Sequence, residues 1–121
     1  MKTVLIAEDD RDLQKLYELI LEMAGFHVIG LANNGDEAIQ MFKIFPKKPD
    51  LIILDYRMPI KNGIEALQEI LSIDIQSRVI FASADKTIKK KVYSQGAKGF
   101  LCKPFTHKKL ITTLKECLNV V

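Results

Sequence analysis

Leu51-Ile52-Ile53-Leu54-Asp55 (residues 51–55) is an unbroken apolar run closed by an acid. A strand with one wet face alternates apolar and polar side chains. A continuous run with no alternation marks a strand covered on both faces, as in a parallel sheet. Four further runs share this character: Thr3-Val4-Leu5-Ile6-Ala7, His27-Val28-Ile29-Gly30-Leu31, Arg78-Val79-Ile80-Phe81-Ala82 and Gly99-Phe100-Leu101-Cys102.

The segments between these runs have helical period. Leu13, Leu16, Tyr17, Ile20, Leu21 and Ala24 form one stripe, closed by Gly25. Ala38, Ile39, Met41, Phe42 and Phe45 form a second, stopped by Pro46. Ile64, Leu67, Ile70 and Leu71 follow Asn62-Gly63. Ile88, Val92 and Tyr93 make a weaker stripe ending at Gly96, and Leu110, Ile111, Leu114, Cys117 and Leu118 make the last. Caps and breakers stand where helices should end. The pattern is (βα)₅, an α/β fold over residues 1–121 as one domain. Right-handed crossovers and one parallel sheet follow. One such architecture is the flavodoxin-like, doubly wound sandwich, whose strand order is 2-1-3-4-5; if that order holds here, the first and third strands are neighbours. In such sheets ligands bind at the carboxyl ends of the strands, where the order switches.

That rule directs attention to the residues after each apolar run. Glu8, Asp9 and Asp10 follow the first, Asp55 the third, Ser83 the fourth and Lys103-Pro104 the fifth. With the first and third strands adjacent, carboxylates converge. Alone they would repel and raise one another's pKa. A hard divalent cation relieves the conflict, and oxygen ligands suit Mg²⁺, with Mn²⁺ as the alternative. A carboxylate nucleophile, a metal site, a lysine and a hydroxyl are the parts that phosphoryl transfer requires. Asp55 would be the nucleophile, Glu8 and Asp9 would hold the metal, and Ser83 and Lys103 would grip phosphoryl oxygens. Asp10 and Asp12 fit a plainer role, complementing the dipole of the first helix.

At these residues the sequence resembles the response-regulator receiver domain of two-component signalling. The resemblance spans about residues 2–118. It rests on Ile6-Ala7-Glu8-Asp9-Asp10, on Leu54-Asp55 through Met58-Pro59 to Asn62-Gly63, on Ala82-Ser83-Ala84, and on Gly96-Ala97 with Lys103-Pro104-Phe105. It implies a phosphoprotein with Asp55 as phospho-acceptor, Asp9 as direct metal ligand, Glu8 acting mainly through water, and the backbone carbonyl of Arg57 as a further ligand. It implies Ser83 as the switch hydroxyl, Lys103 as the phosphate-gripping lysine and Phe100 as the switch aromatic. Arg57 and Asp85 would tune the lifetime of the aspartyl-phosphate, through a pairing across the site that hinders water. Glu8 stands where Asp is commoner, and Phe100 lacks the hydroxyl of the frequent Tyr.

The implied partners are a sensor histidine kinase or phosphotransfer protein, which donates the phosphoryl group, and a downstream protein. A phosphorylation-dependent homodimer through the face of the fourth helix, fifth strand and fifth helix is also implied. The implied domain catalyses only its own phosphorylation and dephosphorylation, so it is not an enzyme acting on a separate substrate.

Composition narrows the other classes. The 121 residues are 48% hydrophobic and 27% charged, ordinary for one globular domain. No stretch approaches the roughly 20 apolar residues of a membrane span. Cys102 and Cys117 lack CxxC spacing and read as reduced core thiols of a cytoplasmic protein. Residues 61–121 carry eleven Lys/Arg against five Asp/Glu, and after Asp85 the one acid is Glu116 among nine lysines. Such a basic end attracts acidic partners. Direct DNA binding is disfavoured, because no recognition-helix motif and no interleaved aromatics accompany the lysines. A flavin carrier is disfavoured too, since Glu8-Asp9-Asp10 would repel a flavin phosphate. A receiver that only mediates contacts would not need every reactive group. The alternative reading is a receiver fragment of a longer transcriptional regulator, with Asn119-Val120-Val121 just past the last helix.

Overall fold

A computed structural model describes residues 1–119 of the chain; Val120 and Val121 lie outside the described residues. Five parallel strands, β1 (Thr3–Ala7), β2 (His27–Ala32), β3 (Leu51–Asp55), β4 (Val79–Ser83) and β5 (Gly99–Cys102), form one sheet in the order β2-β1-β3-β4-β5. Helices α1 (Arg11–Met23), α2 (Gly35–Ile44), α3 (Gly63–Ile73), α4 (Lys89–Ser94) and α5 (His107–Asn119) make the crossovers. This is the flavodoxin-like architecture, with the expected strand order.

The period of two along each strand sends successive side chains to opposite faces. Leu5, Ile52, Leu54 and Phe81 enter the core beneath α2, α3 and α4. Val4, Ile6, Ile53 and Ile80 enter the core shared with α1 and α5. Burial on both faces is why these strands read as unbroken apolar runs.

Local chemistry sets the helix ends. Asp10 caps α1, its Oδ1 accepting from Asp12 N at 3.0 Å and Leu13 N at 3.2 Å. Asn62 and Glu65 make a reciprocal capping box at α3. Lys48 Nζ donates to the carbonyls of Phe42, Lys43 and Phe45 and closes α2.

The structure departs from the expected pattern in four places. The fourth helix is split into a 3₁₀ turn, Lys86–Ile88, and the six-residue α4, which has no side-chain cap. Three lysines open α4 at the end where cations are unfavourable. Leu16, Ala24 and Tyr93 are exposed rather than core. Cys102 is half-buried where Cys117 is buried, and both are free. Asp55 and Ser83 are the last residues of β3 and β4 rather than the first beyond them, because both still pair in the sheet. Among the described residues no helix is long and apolar enough to cross a membrane.

Candidate functional site

β2 lies outside β1, so the strand order reverses between β1 and β3. At the carboxyl end of that pair the sheet gathers Glu8, one residue past β1, and Asp55, the last residue of β3. β5 contributes Lys103 from the position after its end, and Lys103 N still bonds to Ser83 O at 2.9 Å. A cavity of about 360 Å³ opens here, lined by Glu8, Asp9, Asp55, Arg57, Ser83 and Lys103 among others.

Glu8 and Asp55 are buried, whereas Asp9 is exposed. Lys103 Nζ donates to Glu8 Oε1 at 2.7 Å and to Asp55 Oδ1 at 3.1 Å. Glu8 Oε2 also accepts from Asp10 N at 3.1 Å. Burial pushes the Glu8 carboxyl above its ordinary range, opposed by the Lys103 hydrogen bond. Burial likewise raises Asp55, with Lys103 opposing and the charge of Asp9 adding to the rise. Burial works against the charge on Lys103, but its bonds to Glu8 and Asp55 outweigh that and hold its pKa above the ordinary value. One lysine therefore serves two buried acids and cannot neutralise the cluster.

Glu8, Asp9 and Asp55 each offer an oxygen within 4.8 Å of the others'. Three carboxylates against one ammonium leave an excess of about two negative charges. An all-oxygen set of this charge suits a hard divalent cation, so the residues present fit Mg²⁺. Arg57 faces the same cavity, where its backbone carbonyl is the expected further ligand.

The remaining expected residues sit around this centre. Ser83 is buried, and its Oγ accepts from Asp85 N at 3.0 Å, which leaves the hydroxyl proton free to be donated. Phe100 is half-buried against the core beneath α4. Arg57 and Asp85 form no ion pair among the described residues. Asp85 instead caps the 3₁₀ turn, accepting from the backbone N and hydroxyl of Thr87, and these two bonds hold its pKa below the ordinary value.

Two features of the site escape the sequence reading. Gly63 packs on the acceptor strand so closely that a Cβ there would lie 2.4 Å from Asp55 O. Gln14 is buried beside the β1 end and bonds the Glu8 carbonyl at 3.0 Å. Its spacing of three and seven from Tyr17 and Leu21 puts it on the buried stripe of α1, a signal present in the periodicity.

Comparison with known proteins agrees with this arrangement. Residues 4–115 match the family described as the response regulator receiver domain. The chemotaxis protein CheY of Thermotoga maritima is 35% identical over 117 residues, covering 95% of this chain and 96% of that protein. The transcriptional regulatory protein PdtaR of Mycobacterium tuberculosis is 33% identical over 119 residues, 98% of this chain but 57% of that protein. CheY of Borrelia burgdorferi, solved in a CheX–CheY–BeF₃–Mg²⁺ complex, superposes with a TM-score of 0.91 at 32% identity, covering 95% of this chain and 87% of that one. An acidic cluster at the switch point, a fold that superposes on a solved relative and a match over nearly the whole length converge: the chain belongs to the response regulator receiver family of two-component signalling, a CheY-like signalling domain.

Proposed function

We propose that the chain accepts a phosphoryl group on Asp55, from a phosphohistidine of a sensor kinase or phosphotransfer protein, in a Mg²⁺-dependent reaction. The observation that carries this reading is the buried Asp55 carboxylate, held by Lys103 beside Glu8 and Asp9 in one open cavity. An Asp55 oxygen attacks phosphorus as the phosphorus–nitrogen bond of the donor breaks, and the electron pair returns to the donor imidazole. Asp9, Glu8, Asp55 and the Arg57 carbonyl would hold the metal. Bound Mg²⁺ supplies charge neutralisation for the phosphoryl oxygens. Lys103 exchanges its carboxylate partners for a phosphoryl oxygen, and the Ser83 hydroxyl donates to another. Hydrolysis reverses the modification: water attacks phosphorus, the bond to Asp55 breaks and inorganic phosphate leaves.

The modification adds about −1.5 to −2 charges and three acceptor oxygens. As Ser83 is drawn in, the space it leaves admits Phe100, and the surface of α4, β5 and α5 changes. That lysine-rich face then meets a downstream protein or a second copy. Loss of phosphate is slowed by Arg57 and Asp85 once Asp85 turns from Thr87 towards Arg57. Arg57→Ala should then shorten the aspartyl-phosphate lifetime; an unchanged rate of phosphate release would remove the pairing from the account.

Labelling by acetyl phosphate, read by intact mass, tests the central claim. The native chain should gain one phosphoryl group only when Mg²⁺ is present, and Asp55→Asn should gain none. Equal labelling of the two, or none of the native chain, would defeat it. The match to just over half of PdtaR supports a second reading, the receiver part of a longer regulator; the length of the protein purified from its source decides it.

A further inference from the structure

Gln14 is a buried polar side chain outside the reactive set, and its amide group carries an unusual load. Nε2 lies 3.0 Å from Glu8 O, 3.0 Å from Ala32 O and 3.1 Å from Asn33 Oδ1. Ala32 O also accepts from Glu8 N at 3.0 Å. Asn33 is itself anchored, its backbone N and side-chain Nδ2 donating to Glu37 Oε1 at 2.9 and 3.1 Å. One amide on α1 therefore joins the end of β1, the end of β2 and the loop into α2.

Glu8 is the residue with most to gain from that joint. It sits one residue past the end of β1, held to the sheet through its N–H on Ala32 O alone. Its long side chain has three torsions and must still deliver a carboxylate to the cavity. Lys103 and Asp10 N meet the carboxylate itself, and the Glu8 carbonyl at the base of the side chain is held by Gln14. Gln14 is not among the residues lining the acidic cavity, so it cannot itself bind a metal or a phosphoryl group.

We infer that Gln14 is a positioning residue: by gripping the Glu8 carbonyl it aims the Glu8 carboxylate at the metal site, and so sets the affinity of that site for Mg²⁺. The inference rests on the phospho-acceptor reading above. Partners that orient a ligand in this way are commonly worth about 10- to 100-fold in metal affinity.

Calorimetric titration with Mg²⁺, alongside thermal unfolding without metal, separates this role from mere stability. Gln14→Met keeps length and bulk but has no N–H. It should bind Mg²⁺ about tenfold more weakly, at a temperature where the metal-free variant is folded. Gln14→Arg, which restores N–H donors, should recover most of that loss. Asn33→Ala removes an anchor of the same joint but leaves the bond to Glu8, so it should lower Tm with Mg²⁺ affinity unchanged. Should Gln14→Met fail to fold, Gln14→Leu carries the same test. Native Mg²⁺ affinity in the apolar variant, or equal losses in Gln14→Met and Asn33→Ala, would overturn the positioning role while the native chain still binds metal and accepts phosphate. A native chain that binds no Mg²⁺ would instead overturn the phospho-acceptor reading, and this inference with it.

Discussion

Lys103 is the residue on which the resting site turns. Its ammonium is the sole cation bonded to Glu8 and Asp55 among the described residues, and the two acids are too buried to be neutralised by water. Removing one partner of a buried charge set leaves the others uncompensated. Lys103→Met should destabilise the metal-free chain at pH 7 by roughly 1–3 kcal/mol, measured by urea unfolding. Added Mg²⁺ should return much of the loss, since a bound cation replaces the missing charge. A variant as stable as the native chain without metal would show that water reaches the acids after all. Residue identities at this scale were largely legible beforehand: Glu8, Asp55, Ser83 and Lys103 each follow or close an apolar run. The partnership of Lys103 with Glu8 was not legible, because 95 residues separate them and only the folded sheet brings them together.

The loop from β3 to α3 carries the clearest strain. Lys61 N donates to Pro59 O at 2.7 Å, a three-residue turn that leaves Ile60 at φ 70°. A β-branched residue in that region is a rare outlier. Ile60 is also largely exposed, so its side chain gains little from the protein in exchange. Ile60→Gly should therefore raise the unfolding free energy by about 1 kcal/mol, read as a higher urea midpoint. A lower midpoint would mean that Ile60 is held by contacts that outweigh the strain. The loop is fixed at both ends, by Gly35 N on Lys61 O at 3.1 Å and Gly63 N on Tyr56 O at 3.0 Å. The Asn62-Gly63 start of α3 was readable from its capping chemistry. The turn at Ile60 was not, because nothing in the identity of isoleucine invites it; the flanking anchors impose it. For α4 the weak stripe of Ile88, Val92 and Tyr93 did foretell a poor helix, and six uncapped residues are what the lysine-rich segment sustains.

At the scale of the molecule, the acidic site links pH to metal. Burial raises the folded-state pKa values of Glu8 and Asp55 above the ordinary 4.5 and 3.8. A raised folded value means that ionising these acids costs stability, and the cost grows as pH rises through those values. Metal binding needs the ionised form. The rise in Tm that Mg²⁺ produces should therefore be large at pH 7 and fade as pH falls, vanishing at a pH above the range of ordinary carboxylates. A Tm increment that persists unchanged to pH 4 would place Mg²⁺ somewhere else. The two-faced core was readable in the unbroken runs, whereas the sheet order was not in them and came from likeness to the flavodoxin-like architecture. The lysine-rich end was readable as charge, though which partner it meets is a property of two surfaces, and one sequence contains only one of them.

The span between Glu8 and Lys103 also has a meaning during synthesis. At translation rates of about 5–20 residues per second, the first acid exists for roughly 5–20 s before its lysine is made. Until β5 is made, the sheet lacks its edge strand and both Glu8 and Asp55 lack the ammonium that bonds them in the finished fold. On the phospho-acceptor reading proposed above, the completed site therefore arrives only with the last strand.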